Sequence, residues 1–274
     1  MVKFTEFSRL CVSFLLGALC ALPAASQAEN PAAVGEDRFK VSLGYFLPAL
    51  NTDLRADSST LGPGTNFDLE ADLGVEDDQD LARIDGYVRL GERHRIGLGY
   101  FTLDRGGSRV LTRDIQFGDV TFTTGTGVSA SIETDITIAN YMYSFFQRPN
   151  QELALALGVH YLDAETRLAT TGGAVTETAS AAGPLPLIGL DYVYAPTPRV
   201  HLGLLGQWFS ADVDTYDGSI INARATAEYF VHKNIALGIG YNYFRVNVDT
   251  DDSDFKGSLD WDYNGLQVFA TLRF

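Results

Sequence analysis

The sequence feature that most constrains the fold is an alternation of apolar and polar residues, which recurs from residue 39 to the C-terminus. A period of two residues predicts β-strands with one apolar and one polar face. The alternating segments begin near residues 39, 82, 96, 137, 153, 188, 200, 223, 235 and 266. The chain is therefore predicted to be all-β, with about ten strands.

No segment after residue 28 is apolar for the roughly 18 residues that a membrane helix needs. Lipid offers no hydrogen-bond partner to the backbone, so a closed barrel is the only other structure that can span a bilayer. We therefore predict a transmembrane antiparallel up-and-down β-barrel. Two of the long loops are predicted to contain extra β structure, an alternating strand at 67–73 and a hairpin near 111–122. Eight and twelve strands are the alternatives to ten, and twelve would require both of these segments to span the membrane. We prefer ten, because the charges of Arg109, Arg113 and Asp114 favour a place above the membrane.

The connections between these segments alternate in length, as in outer-membrane barrels with short periplasmic turns and long extracellular loops. The short turns are predicted at Gly91–His94, Gln147–Gln151, Ala195–Pro198 and His232–Asn234. The long polar segments lie near 49–80, 106–133, 170–182, 212–219 and 249–258. Aromatic residues cluster at both ends of the strands, which predicts two belts at the bilayer interfaces.

The N-terminus has the pattern of a cleaved secretory signal peptide. Lys3 and Arg9 precede an apolar run, and the small residues of Ser26-Gln27-Ala28 predict cleavage after residue 28. A lipoprotein signal at Cys20 is the alternative, although Leu19 stands where a small residue is needed. The domain plan is then a signal peptide over 1–28 and one barrel domain over 29–274, with its longest extracellular loops near 49–80 and 106–133.

Charge and cysteine content exclude several classes of function. The chain has a formal net charge of −15, which argues against nucleic acid as a partner because phosphates would be repelled. The two cysteines, Cys11 and Cys20, both lie within the predicted signal peptide. The mature chain would therefore have no disulfide, no thiolate metal site and no cysteine nucleophile.

The last predicted strand, residues 266–274, resembles the insertion signal of Gram-negative outer-membrane proteins, with alternating apolar residues and a terminal aromatic. The whole mature chain resembles the small outer-membrane β-barrel superfamily, which includes porin-like and OmpA-type barrels. The resemblance implies localisation in the outer membrane and recognition by the barrel-assembly machinery. The predicted partners also include the lipid bilayer and lipopolysaccharide, and we expect a monomer by default. The implied assembly signal consists of Leu266, Val268, Ala270, Leu272 and Phe274.

The strand faces opposite the apolar ones should line the lumen. They carry a polar network of Lys40, Arg83, Asp85, Arg89, His160, Asp191, His201, Arg224, Glu228 and Arg273, with Gln207 and Asn242. A barrel of about ten strands is narrow, so charges inside it must be paired or hydrated. Two interpretations follow: a salt-bridged polar plug, which we prefer, and a narrow, weakly selective pore. The predicted function is a structural or porin-like outer-membrane protein.

No motif of an enzyme is found. His94 and His232 fall in turns, while His160 and His201 face the lumen without a serine motif beside them. The histidine-serine and paired aspartate-histidine signatures of enzymatic barrels are absent. We therefore predict no enzyme and no cofactor, with a hydrolase that uses His160 as an alternative.

Acidic residues crowd two of the predicted loops, near 68–80 and 249–262. Carboxylates suit calcium, and Asp249-Thr250-Asp251 begins like a calcium loop, but Asp254 replaces the glycine required at the sixth position. A solvated acidic face is the preferred interpretation. The alternative is a surface protein that binds cations such as calcium, lipopolysaccharide or another ligand through these loops.

Overall fold

A computed structural model describes residues 31, 33–58, 61–213, 216–251 and 256–274. The predicted signal peptide and Asp254 lie outside the described residues. The strands, in chain order, are β1 (Phe39–Ala56), β2 (Phe67–Asp68), β3 (Leu81–Leu90), β4 (His94–Val110), β5 (Ile115–Phe117), β6 (Val120–Phe122), β7 (Gly127–Arg148), β8 (Gln151–Thr170), β9 (Thr176–Thr197), β10 (Val200–Val213), β11 (Tyr216–His232), β12 (Ile235–Asp251) and β13 (Lys256–Arg273). A short helix, α1 (Leu69–Leu73), follows β2.

Ten of these strands form one closed antiparallel barrel, which confirms the predicted fold class and the preferred strand number. Its order is β1, β3, β4 and then β7 to β13, each strand pairing with the next. The barrel closes where β13 pairs with β1, from Lys40 opposite Arg273 to Ala56 opposite Gly257. Closure gives every strand two neighbours, so the backbone groups of the spanning part are paired within the protein.

The two ends of the barrel differ, as the connection lengths predicted. The strands at one end are joined by tight turns at 91–93, 149–150, 198–199 and 233–234. At the other end the strands continue into the predicted loops, so that β7 and β9 each have 22 residues. The longest connections are residues 57–80 and 111–126. They are shorter than the loops predicted at 49–80 and 106–133. The reason is that strand pairing continues where the outer face is polar.

An apolar belt surrounds the barrel. Side chains from successive strands, among them Leu43, Leu98, Leu157, Leu204, Ile239 and Val268, point outward and are 42 to 63 % exposed. Exposed aromatics border the belt, with Phe145, Tyr194, Tyr229 and Phe274 toward the short turns and Tyr100, Tyr161, Trp208 and Tyr241 toward the long loops. This arrangement is typical of barrels that span lipid. Among the described residues, no helix has the length and apolar character to cross a membrane.

The two longest connections fold together over the long-loop end, and we call the described residues of 57–80 and 111–126 the crown. The alternation at 67–73 predicted a strand, but only Phe67–Asp68 is extended. Asp68 caps the N-terminus of α1 by accepting a hydrogen bond from the Ala71 amide at 2.6 Å, and Gly74 ends the helix with a φ of 69°. The hairpin near 111–122 is confirmed as β5 and β6.

The crown has a hydrophobic core of its own. Apolar side chains of the crown pack against the inner faces of the upper strands, in a cluster of Leu54, Ala56, Phe67, Leu69, Leu73, Val75, Leu111, Ile115, Phe117, Phe122, Val128, Ala130, Ile132 and Leu168. A crown packed in this way is a folded cap and not a set of solvated loops.

One seam interrupts the wall above the belt. The pairing between β9 and β10 ends at Ile188 and Trp208, although β9 continues to Thr176. Pro184 and Pro186, which have no amide hydrogen, lie in the part of β9 that pairs with β8 but not with β10, as expected for a strand edge. The interior behind the seam is filled by apolar side chains that include Leu185 and Leu187.

Candidate functional site: the barrel lumen

All ten predicted lumen residues lie on the interior of the barrel. Eight of them line a cavity of about 140 Å³ in the half nearer the short turns: Lys40, Arg83, Asp85, Asp191, His201, Arg224, Glu228 and Arg273. Arg89 lies below the cavity and His160 above it, and both are buried. Five glycines line the cavity, and they leave room that side chains would fill: Gly35, Gly86, Gly97, Gly99 and Gly203. The cavity is large enough for several water molecules.

The N-terminal segment 33–38 forms the floor of the lumen. Asp37 is only 2 % exposed, and its carboxylate lies 3.5 Å from the Arg273 guanidinium and accepts a hydrogen bond from the Tyr87 hydroxyl. Arg273 also donates to the carbonyl of Ala33 at 3.1 Å. The Val34 amide donates to the carbonyl of Pro149, in a turn, at 3.0 Å. These contacts fix the segment across the short-turn end of the barrel.

Glu152 is the centre of the ion pairs above the floor. Its carboxylate accepts two hydrogen bonds from Arg89, at 2.7 and 2.9 Å, and lies 3.7 Å from the Nε of Arg95. Ser144 and Gln147 donate to the same carboxylate. Arg95 also donates to Asp191 at 2.8 Å. The Arg89 and Glu152 side chains are each 2 % exposed, so the pair is shielded from solvent.

The walls of the cavity carry two more sets of charges. Lys40 pairs with Glu228. Arg83 donates to both carboxylate oxygens of Asp85, at 2.8 and 3.0 Å, and Arg224 lies 3.3 Å from the same carboxylate. The Asp85 carboxylate is therefore the shared counter-ion of two guanidinium groups, those of Arg83 and Arg224.

Neutral polar groups complete the network. The Nδ1 of His201 is 2.8 Å from Arg273, and because arginine only donates, this nitrogen is the acceptor. Amides continue the chain of contacts, with Gln207 donating to Asn140 and Asn222 donating to Gln207, both at 2.9 Å. Asn242 donates to Gln267 at 3.3 Å.

An aromatic layer forms the roof of the cavity. Phe46, Phe101, Phe244, Trp261 and Tyr263 are each at most 3 % exposed, with ring centroids of neighbouring pairs 5.2 to 6.1 Å apart. They belong to a larger cluster with Leu50, Leu81, Leu103, Ile136, Ile138, Leu162, Leu187, Ile220 and Val246. These residues come from every barrel strand except β10, so the apolar layer crosses the whole lumen.

His160 is part of this roof. Its ring stacks on Phe244 with a centroid distance of 5.4 Å, and neither ring nitrogen has a hydrogen-bond partner. The side chain is 1 % exposed. A buried imidazole without a partner is costly, because it loses its hydrogen bonds to water and gains none.

A further ion pair joins the crown to the upper barrel. Arg105 lies 2.5 Å from Glu70 of α1 and donates to the Thr52 hydroxyl at 2.8 Å and to the Glu76 carbonyl at 3.1 Å. Arg113 pairs with Asp72. In the hairpin, the amide and hydroxyl of Thr124 donate to Asp114 and lower the pKa of that carboxyl group. The crown is thus fixed to the barrel by polar contacts as well as by its core.

In the described part of the chain, the arrangement of the side chains gives little support for a catalytic site or a metal site. His94 contacts the Tyr141 hydroxyl, His201 contacts Arg273, and His232 accepts from a neighbouring amide. None of the described histidines is hydrogen-bonded to a serine, a threonine or a carboxylate. Within the described residues, no three His, Cys, Asp or Glu side chains converge as metal ligands.

The residues of the implied assembly signal lie on the outer face of β13. Leu266, Val268, Leu272 and Phe274 are 47 to 64 % exposed in the apolar belt, and Ala270 lies between them. Their recognition by an assembly machinery remains a prediction.

No protein-family model matches the chain, and no curated protein sequence matches it. Solved structures do match. The outer-membrane protease OmpT from Escherichia coli has a TM-score of 0.54 and 13 % identity, over 90 % of this chain and 99 % of that chain. Ail, the attachment invasion locus protein of Yersinia pestis, has a TM-score of 0.34 and 10 % identity, over 87 % and 99 %. The Pseudomonas putida toluene transporter TodX has a TM-score of 0.30 and 9 % identity, over 89 % and 92 %.

These similarities concern the fold. The chain has the fold of an outer-membrane β-barrel protein, which confirms the fold that the resemblance implied. A likeness of 13 % identity to OmpT shows the fold alone, and a fold does not determine an activity.

Proposed function

We propose that this protein is a closed, non-conducting outer-membrane barrel that anchors a folded crown at the cell surface. The observation that carries the proposal is that the lumen is blocked at three successive levels. The floor is closed by segment 33–38, the middle by the aromatic layer and the outer end by the crown. Of the two interpretations of the lumen, the geometry favours the polar plug over the pore, and we propose no catalytic role.

The aromatic layer argues most strongly against conduction. A water-filled porin has a polar interior, whereas this lumen is apolar above the cavity. An ion that crossed the layer would lose its hydration shell among Phe46, Phe101 and Phe244. The charged group nearest these rings, the Arg83 guanidinium at 5.0 Å from the Phe101 centroid, is already paired with Asp85. The buried ion pairs below the layer then hold the strands together instead of lining a path.

The test is the conductance of the refolded barrel in planar bilayers, with heat-modifiable gel migration as the control for folding. We expect a folded barrel that produces no current steps. Reproducible steps, with an ion selectivity that changes in Arg83→Ala, would show a pore and refute the proposal.

A second candidate, binding of cations and lipopolysaccharide, is favoured by the strand pairing above the belt. Carboxylates stand directly opposite one another there: Asp104 faces Glu133, Glu133 faces Glu165, and Asp135 faces Asp163. Like charges in such positions destabilise a sheet. Divalent cations that bridge these carboxylates to lipid phosphates would relieve the repulsion. The acidic groups of this candidate lie on strands rather than in loops.

Thermal unfolding in vesicles with and without lipopolysaccharide tests this second candidate. Magnesium should raise the unfolding temperature more than sodium at equal ionic strength, and Glu133→Gln should reduce the difference. A chelator that leaves the stability of the wild-type protein unchanged would exclude cation bridging.

A further inference from the structure

The charges of the described side chains in the lower lumen do not balance. Below the aromatic layer the described inward-facing cations are Lys40, Arg83, Arg89, Arg95, Arg224 and Arg273. The described inward-facing carboxylates are Asp37, Asp85, Glu152, Asp191 and Glu228. Among these described side chains, the six cations outnumber the five carboxylates by one positive charge.

The ion pairs locate the excess charge. Glu152 pairs with Arg89, Asp191 with Arg95, Glu228 with Lys40 and Asp37 with Arg273. The remaining carboxylate, Asp85, binds Arg83 through two hydrogen bonds and Arg224 through only one, at 3.3 Å. The surplus guanidinium is therefore that of Arg224.

Arg224 also faces open space. Its side chain lines the internal cavity and keeps 30 % of its surface accessible, compared with 5 % for Arg83. A guanidinium has five N–H donors, and only one of its nitrogens contacts Asp85. An uncompensated charge inside a protein is unfavourable unless it is paired or solvated.

We propose that the cavity binds one small monovalent anion, a halide or a small carboxylate such as formate, at the Arg224 guanidinium. The anion supplies the missing negative charge and accepts hydrogen bonds from nitrogens that have no protein acceptor. The cavity of about 140 Å³ accommodates such an ion together with water, and the five carboxylates around it disfavour a dianion. This inference goes beyond the proposed function, because an anion can occupy the cavity whether or not the barrel conducts.

Bromide provides the test, because its anomalous scattering identifies it in crystals of the purified barrel. We expect a bromide peak within hydrogen-bond distance of Arg224 in the wild-type protein. Replacing sulfate by bromide at constant ionic strength should raise the unfolding temperature, and the rise should saturate with concentration. Formate in place of bromide shows whether a carboxylate occupies the same site.

Two variants identify the residue responsible. Arg224→Gln removes the excess charge, so it should lose both the peak and the bromide-dependent stabilisation while still folding. Arg245→Gln makes the same change of charge on an exposed arginine paired with Asp260 outside the lumen, and it should keep both. A cavity that holds water only, a peak that persists in Arg224→Gln, or a peak without saturable stabilisation (an adventitious ion only) would overturn the proposal.

Discussion

The strongest test of the buried network is the substitution Glu152→Gln, which keeps the size of the side chain and removes its charge. Glu152 accepts two hydrogen bonds from Arg89 and lies 3.7 Å from Arg95. Without the carboxylate, both guanidiniums lose their shared counter-ion in a region where each side chain is at most 3 % exposed. Removing one partner of a buried pair typically costs about 3–5 kcal/mol, and side chains that are at most 3 % exposed allow little screening by solvent.

Urea unfolding of the barrel in detergent micelles measures this loss, with the fluorescence of Trp208 and Trp261 as the signal. With an m-value of about 2 kcal/mol per molar, the loss corresponds to a decrease of about 2 M in the unfolding midpoint. The matched control is Asp260→Asn, which breaks an exposed pair with Arg245 and should cost at most about 1 kcal/mol. If Glu152→Gln lowered the midpoint no more than this control, the network would not stabilise the barrel.

Two other substitutions test the roof and the wall. Phe244→Ala removes a ring that contacts His160, Trp261 and Tyr263, and urea unfolding should show a loss of about 3–5 kcal/mol; a loss below 1 kcal/mol would mean that the layer is loosely packed. Gly189→Ala should abolish the heat-modifiable band, because its Cβ would lie 1.9 Å from the carbonyl oxygen of Gly206, where β9 and β10 meet. Gly183 lies on the same strand, and a Cβ added there would meet no atom, so Gly183→Ala should fold normally. If both variants migrated equally on the gel, the close approach of Gly189 to the Gly206 carbonyl would be contradicted.

Alternation alone could predict which face of the sheet a side chain occupies. Because the period is two, a residue two positions from a known lumen residue is also a lumen residue. Arg95 shares the inward positions of Gly97 and Gly99, and Glu152 those of Ala154 and Ala156. Both could therefore have been identified from the sequence, although the predicted network omitted them. The error was in where the strands were taken to begin, since each of these residues lies beside a turn.

The partners of these side chains could not be predicted in the same way. Arg89 and Glu152 come from strands that are not neighbours, so their contact depends on the curvature and diameter of the closed barrel. Asp37 precedes β1 and shows no alternation, yet it closes the floor. The prediction of a strand at 67–73 was wrong because four alternating apolar residues also fit one turn of an amphipathic helix. The capping residues Asp68 and Gly74 favour the helix.

The three levels that close the lumen depend on different interactions. A change can therefore lower the stability of the barrel without making the lumen permeable to ions. The floor is electrostatic, the roof is aromatic and the crown combines a hydrophobic core with a few ion pairs. A change of pH or salt that weakens the floor therefore leaves the apolar roof in place, since ring packing carries no charge. Substitutions in the roof create a cavity but leave the crown above it. A single substitution should thus lower stability without producing a pore, and conduction requires changes at more than one level.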